Sequence, residues 1–271
     1  MQTRRITPNS DKISTGLGEL FSSLPLLFAF ARRDIKIKYA QTYMGIFWSV
    51  FQPISALVIV SLFFGKLIHL DSGETPYPVF SFCGMLGWFY FVYLAGHSGL
   101  SLVTQQDIVR KASFPKIVLP FSKAISGLLD YGIWFVILII LLIVYGFEFK
   151  FRMFLFPAFF MINIIAGLAV GIWVAALSVR YRDLYQIVPY LIGMSIFVTP
   201  VVYPVETVSG WMRYVLYLNP MSGVLEGYRW TLLGTQIPSS NFLLGFGLLL
   251  ILFITGLIFF KRTENKIADL I

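Results

Sequence analysis

Gln105 to Pro120 reads QQDIVRKASFPKIVLP, a polar and basic interruption between two long hydrophobic runs. It is too charged to lie in lipid and too regular in pattern to be a spacer. Ile108, Val109, Phe114, Ile117, Val118 and Leu119 recur at near-helical intervals among Asp107, Arg110, Lys111 and Lys116, which predicts a short amphipathic helix interrupted near Pro115. Held at a membrane face by a span on either side, such a segment can receive a push from another protein. It then reads as the mechanical input of a machine whose motor is elsewhere. The alternative is an ordinary cytoplasmic loop whose basic residues hug the membrane.

Composition sets the class around that stretch. Of the 271 residues, 58% are hydrophobic and 13% charged, against about 45–50% apolar and about 25% charged in soluble domains. The chain is therefore expected to be an all-α integral membrane protein. Its net charge of +8 does not point to nucleic acid, because the Lys and Arg residues fall in the gaps between apolar runs instead of on a polar domain. Cys83 is the lone cysteine and lies in an apolar run, so no intrachain disulfide or cysteine metal cluster is expected. His69 and His97 stand far apart without a zinc-binding arrangement.

Six spans are predicted, near Met44 to Ile68, Val79 to Thr104, Pro120 to Gly146, Phe154 to Ser178, Ile187 to Tyr203 and Phe242 to Phe260. Each is long enough for a hydrocarbon core of about 30 Å at about 1.5 Å per residue, the fifth being the shortest. They show no dyad alternation, which excludes a β-barrel. Ahead of them, residues 1–21 read as a polar cytoplasmic tail and residues 22–43 as an amphipathic interface helix. On that helix Leu24, Phe28, Ala31, Ile35 and Tyr39 share one face, with Arg32, Arg33, Lys36 and Lys38 supplying charge. With both termini cytoplasmic, the inner segments hold sixteen Lys and Arg residues and the outer ones only Lys66, Lys150, Arg152, Arg213 and Arg229. That asymmetry predicts the orientation.

Pro204 to Asn241 is not an ordinary loop. An apolar aromatic run ends at Leu218, Asn219 and Pro220 break it, and a second run continues to Gly234. Each half is too short to span and too apolar for water, which predicts a helical hairpin dipping into the outer leaflet. On the fourth span Gly167, Gly171 and Ala175 form a small-residue stripe suited to close helix packing. Trp48 and Phe51 in the first span and Phe89 and Tyr93 in the second are candidates to line a path. Their CH-stacking faces suit a sugar polymer sliding through, although an interfacial aromatic belt accounts for many of the chain's aromatics. Asp130 is the one carboxylate expected deep in a span. It is either functional or satisfied by a neighbouring Ser, Tyr or Arg, with Ser122 and Ser126 on its own face. The chain has no phosphate-binding loop of the GxxxxGK[ST] type, no GxSxG elbow and no paired-carboxylate motif.

Five stretches in order carry a resemblance to a known family: Arg32 to Ile54, Val109 to Pro120, Val179 to Leu184 (VRYRDL), Thr199 to Pro204 (TPVVYP) and Leu218 to Trp230 (LNPMSGVLEGYRW). The chain resembles the membrane subunit of ABC-2 type transporters, in particular the exporters of O antigen, teichoic acid or capsule. The resemblance covers nearly everything after the tail, residues 44–271 forming the six-helix domain. It implies that the N-terminal helix and the 105–120 loop dock on a separate ATPase, through Arg32, Arg33, Arg110, Lys111, Phe114 and Pro115. It implies a re-entrant gate within residues 204–241, with Asn219, Pro220, Glu226 and Arg229 on it. Two copies would form the channel with two ATPase subunits, and ATP and Mg would sit on the ATPase, no cofactor being bound by this chain. The substrate implied is a lipid-linked polysaccharide crossing the bacterial inner membrane, with a small-molecule exporter and a membrane-embedded lipid-sugar enzyme as the competing readings.

Overall fold

The computed structural model describes residues 22–40, 45–70, 72–181 and 183–270, side chains of 265–270 excepted. The tail expected over residues 1–21, the end of the interface helix at 41–43, Met44 and Arg182 lie outside the described residues, as does the side chain of Lys266. Among the described residues every regular element is helical and there is no strand.

Helix α1 (Leu24–Ala40) buries Leu27, Phe30 and Ala31. Of the face expected to run through Leu24, Phe28, Ala31, Ile35 and Tyr39, Ala31 is buried and Ile35 and Tyr39 half-buried, and the structure corrects it at Leu24 and Phe28. Those two are exposed, and the stripe one position round packs on the start of the third span. The helix has apolar groups on two sides, and among the described residues only one of them packs on the bundle.

The first span, α2 (Gly45–Leu67), carries Pro53 inside it and widens into a π-helix over Ser61–Leu67. Next come α3 (Tyr77–Gly99), the short α4 (Gln106–Lys111), α5 (Val118–Val144) and α6 (Phe151–Ser178, its first turn 3-10). Helix α7 (Leu184–Met194) continues as a 3-10 turn to Val198. Then follow α8 (Trp211–Leu218), α9 (Pro220–Leu232) and α10 (Phe242–Leu270). Helices α2, α3, α5, α6 and α10 are long and apolar enough to cross a membrane. The run expected over Ile187 to Tyr203 makes a shorter helix, because Thr199 turns to extended backbone ahead of Pro200.

Helix α3 is the axis, buried on all sides from Val79 to Trp88 and open only toward a cavity along Phe89, Val92 and Tyr93. It runs closest to α6, where a side-chain carbon added at Gly167 would stand 2.8 Å from Leu94 Cβ and one added at Gly171 would stand 2.5 Å from Ser98 Cβ. The small-residue stripe is thus a seam of near backbone contact. Helix α5 presents Tyr131, Trp134, Leu138 and Leu142 inward at helical spacing. A polar hub ties four helices. Asn163 Nδ2 of α6 donates to the Gly87 carbonyl of α3 at 2.9 Å and to the Tyr228 hydroxyl of α9 at 3.1 Å, and Tyr131 of α5 donates to the same hydroxyl at 3.2 Å.

The seam makes a prediction. Gly171→Ala should lower the thermal unfolding midpoint of the detergent-solubilised protein, overpacking costing about 1–3 kcal/mol. Gly132→Ala on α5, where the added carbon meets nothing within 4 Å, should not. Equal midpoints for the two variants would show that the seam is loose.

Candidate functional site

A cavity of about 670 Å³ opens between α1, α2, α3 and α5. It lies at the end of the bundle that α1 and α4 share, beside the starts of α2 and α5 and the last turns of α3. Of the four aromatics expected to line a path, Trp48, Phe89 and Tyr93 stand in its wall. Phe51 does not; it is exposed on α2, stacked on Phe47 and edge-on to Trp48, each at 5.5 Å. Trp134 of α5 completes the aromatic floor, with its ring centroid 4.9 Å from that of Phe89.

The rim is ionic. Asp130 Oδ2 accepts from Lys38 Nζ at 2.5 Å, and Oδ1 accepts from the Tyr39 hydroxyl at 2.6 Å and from Ser49 Oγ at 2.8 Å. The intramembrane acid is therefore satisfied inside the bundle. Its partners come from α1 and α2, not from Ser122 or Ser126, whose hydroxyls donate to the carbonyls of Leu119 and Lys123. Burial, reinforced by the Asp130 carboxylate, pushes the Tyr39 hydroxyl up to about 12, so it remains a donor. A second pair joins Lys123 Nζ to Asp34 Oδ2 at 2.5 Å, with side chains only 10% and 16% exposed. Arg33 reaches the other Asp34 oxygen at 3.0 Å and lies 5.1 Å from the centre of the Phe30 ring. These two carboxylates clamp α1 to the spans.

Sequence reasoning missed Asp34, Lys38, Ser49, Lys123 and Trp134 as site residues. One signal was available: Asp34 is the single acid among the five charges of Arg32 to Lys38, an arrangement that asks for a partner lysine.

The loop segment folds as expected of an amphipathic piece broken before Pro115. Arg110 and Lys111 are exposed in the last turn of α4, Arg32 is exposed on α1, and Pro115 is half-buried. Phe114 is half-buried against Phe30, ring centroids 5.5 Å apart, so its ring is already engaged within the chain. Lys116 closes the end of α4, its ammonium donating to the carbonyls of Ala112 at 2.8 Å and Val109 at 3.1 Å. Burial holds it below the usual lysine range, with Glu264 acting in the opposite sense. Its backbone N–H donates to Glu264 Oε1 at 2.6 Å, which ties the loop to α10.

The stretch after α7 forms two helices that meet at Asn219 and Pro220. Asn219 caps α9, accepting from the Met221 N–H at 3.0 Å, and its own Nδ2 donates to Thr199 Oγ1 at 2.8 Å. Pro220 occupies the first helical position, where its missing N–H is harmless. Glu226 accepts from the Tyr217 hydroxyl at 2.9 Å, which links α9 back to α8. Arg229 is 3% exposed; it donates to the Val201 carbonyl at 2.6 Å and sits 3.8 Å from the centre of the Phe80 ring. The end of α7 is thus held to α9 at two points. Among the described residues there is no group of three His, Cys, Asp or Glu side chains that could hold a metal.

The family model for the ABC-2 type transporter matches residues 25–233. The chain belongs to that family. It is a transport subunit of the membrane, without a catalytic domain, and membership implies a partner ATPase. Among its relatives are an O-antigen export system permease protein of Myxococcus xanthus, 27% identical over 225 residues (82% of this chain, 86% of the relative), and one of Klebsiella pneumoniae, 23% identical over 263 residues (97% and 100%). A polysialic acid transport protein of Escherichia coli is 22% identical over 237 residues (86% and 91%). In this transporter the matched region takes in the cavity, the α4 loop and the α8–α9 pair.

The ion pairs should behave unequally. Lys123→Ala leaves Asp34 with Arg33 as its remaining cation and should cost about 2–3 kcal/mol, less than the about 3–5 kcal/mol of a buried charge left with no partner, while the double change Asp34→Ala with Lys123→Ala recovers much of the loss. Lys38→Ala, which removes a half-exposed partner, should cost less, on the order of 1 kcal/mol. Thermal unfolding of the four proteins in detergent checks this order.

Proposed function

We propose that this chain is the channel-forming subunit of an ATP-driven exporter that moves a lipid-linked polysaccharide, O antigen in the first instance and capsule or teichoic acid in the second, across the bacterial inner membrane. The observation that carries the reading is the likeness, over nearly the whole chain, to permeases named for O-antigen export and for polysialic acid transport. An aromatic cavity with a hydrogen-bonding rim is the surface such a substrate needs. Two copies form the channel and two ATPase subunits, carrying ATP and Mg, drive it.

In this mechanism α1 and the 105–120 loop receive the ATPase, with Arg32, Arg33, Arg110 and Lys111 on the rim and Phe114 and Pro115 behind them. Movement of the loop reaches α10 through the Lys116–Glu264 bond, and α10 packs along α6 and α9. The 204–241 stretch, with Asn219, Pro220, Glu226 and Arg229, is a re-entrant gate at the outer face, and α7 with the residues after it completes a sixth crossing. Trp48, Phe51, Phe89 and Tyr93 border the path.

Removing the chain from its cell should leave completed polysaccharide inside. Arg110→Glu with Lys111→Glu should fold normally, because both side chains are exposed, yet lower co-purification with the ATPase about tenfold or more and stop export. Phe114→Ala should weaken the same complex, at roughly 2 kcal/mol for a buried aromatic anchor. Normal surface polysaccharide in the charge-reversed strain would remove the coupling role.

Orientation has its own test. In a Cys83→Ala background, single cysteines at Ser72 and Ser239 should react with an impermeant maleimide in whole cells, and one at Ser113 should react only after lysis. External labelling at Ser113 would invert the topology.

A further inference from the structure

Between α5 and α6 the chain alternates aromatic and charged residues: Phe147, Glu148, Phe149, Lys150, Phe151 and Arg152. Lys150 is extended, and in extended backbone neighbouring side chains leave on opposite sides, so rings and charges part there. Phe147 packs on the core, whereas Phe151 is 87% exposed and Phe154, 5.5 Å from it in the 3-10 turn, is 80% exposed. This turn stands at the end of the bundle opposite the cavity, where α5 ends and α6 begins.

Arg152 is the odd member. Its guanidinium lies against Gly234, the left-handed residue (φ 81°) just past the end of α9, and a side-chain carbon added at Gly234 would collide with it. A cation suits that position, because the C-terminal end of a helix is negative. Yet the group bonds to nothing there: its Nε–H is buried without an acceptor, and Arg152 has no hydrogen bond or ion pair among the described residues. Glu148, four residues back, stands 3.8 Å from Lys150 instead. Arg152 is half-buried, so the Nη end of its fork is the part left open.

A guanidinium held in place with its donors unused is a receptor for an oxyanion, and arginine meets phosphate with two parallel hydrogen bonds. Free phosphate would leave the Phe151 and Phe154 rings uncovered. A neutral lipid would cover the rings and leave the donors without an acceptor. A phospholipid meets both needs, with its phosphate at the level where arginine and aromatic side chains reach the headgroups and its acyl chains beside the rings. We propose that the turn at Arg152 is a binding site for the phosphate of a phospholipid headgroup, with the Arg152 guanidinium as the clamp, Phe151 and Phe154 against the acyl chains, and Gly234 as the residue that leaves the guanidinium its room. Because Gly234 follows the last turn of α9, a lipid held there ties the end of that helix and the start of α6 to the bilayer.

Native mass spectrometry of the full-length chain in detergent, titrated with dioleoylphosphatidylglycerol, tests it. Dioleoylglycerol, which has the same chains and no phosphate, and inorganic phosphate, which has no chains, are the comparison probes. Arg152→Gln should raise the Kd of the tightest-bound phosphatidylglycerol about tenfold, which is about 1.4 kcal/mol. Arg152→Lys keeps the charge and loses the fork, so it should cost less, about threefold; if Arg152→Gln does not fold, that loss carries the test. Lys66→Gln removes an exposed cation at the far end of α2, the same end of the bundle, and should leave the Kd unchanged. Undiminished binding in the Arg152 variants, an equal loss in Lys66→Gln, dioleoylglycerol bound as tightly as phosphatidylglycerol, or displacement of the lipid by equimolar inorganic phosphate would each overturn the proposal.

Discussion

Two helices can run in near backbone contact only where no side chain stands between them, and Gly167 and Gly171 of α6 give α3 that seam. The remaining architecture follows from it. With α6 pressed on one side, α3 is close enough to α5 and α9 for their aromatics to cover its other faces, and every polar group it carries must find a partner within the protein. Ser98 Oγ donates to the Pro120 carbonyl at 2.8 Å, and the Gly87 carbonyl accepts from Asn163. Gly84 plays the matching part at the opposite end, where an added side-chain carbon would collide with the Val201 carbonyl and the Arg229 guanidinium.

Around this rigid axis the clamped elements are peripheral. Helix α1 is held by two carboxylates that face the lysines of different elements: Asp34 on α1 reaches Lys123 on α5, and Asp130 on α5 reaches Lys38 on α1. Such reciprocal pairs fix the rotation of α1 about its own axis as well as its distance. That explains why its buried stripe is Leu27, Phe30 and Ala31 when an equally apolar stripe through Leu24 and Phe28 was available. Hydrophobicity alone left the choice open and the charges decided it.

Five of the six expected spans were legible because run length is a direct consequence of bilayer thickness, and the break at Asn219 and Pro220 because a capping side chain followed by proline marks a helix start. The site was legible in part. Trp48, Phe89 and Tyr93 could be picked out as an aromatic group, but Trp134 could not be told from other apolar residues of α5. The partners of Asp130 lie 81 to 92 positions away in the chain, whereas a one-dimensional pattern favours neighbours such as Ser126. Phe114 shows the same blindness in reverse: its pattern marks an apolar anchor without saying that Phe30 already covers part of it.

The π-helical end of α2, Ser61–Leu67, bears on what the first span can do. A π turn holds more residues than an α turn, so rewinding these seven residues into α geometry would lengthen the helix and rotate everything on one side of them relative to the other. Gly65 lets the Tyr77 ring close against the widened turn, with an added side-chain carbon 2.9 Å from Tyr77 Cδ1, and the Tyr77 hydroxyl donates to the Val202 carbonyl at 2.8 Å. Tyr77 thus joins the widened turn of α2 to the stretch of chain that leads into α8, and a change of winding there would be felt first at that ring.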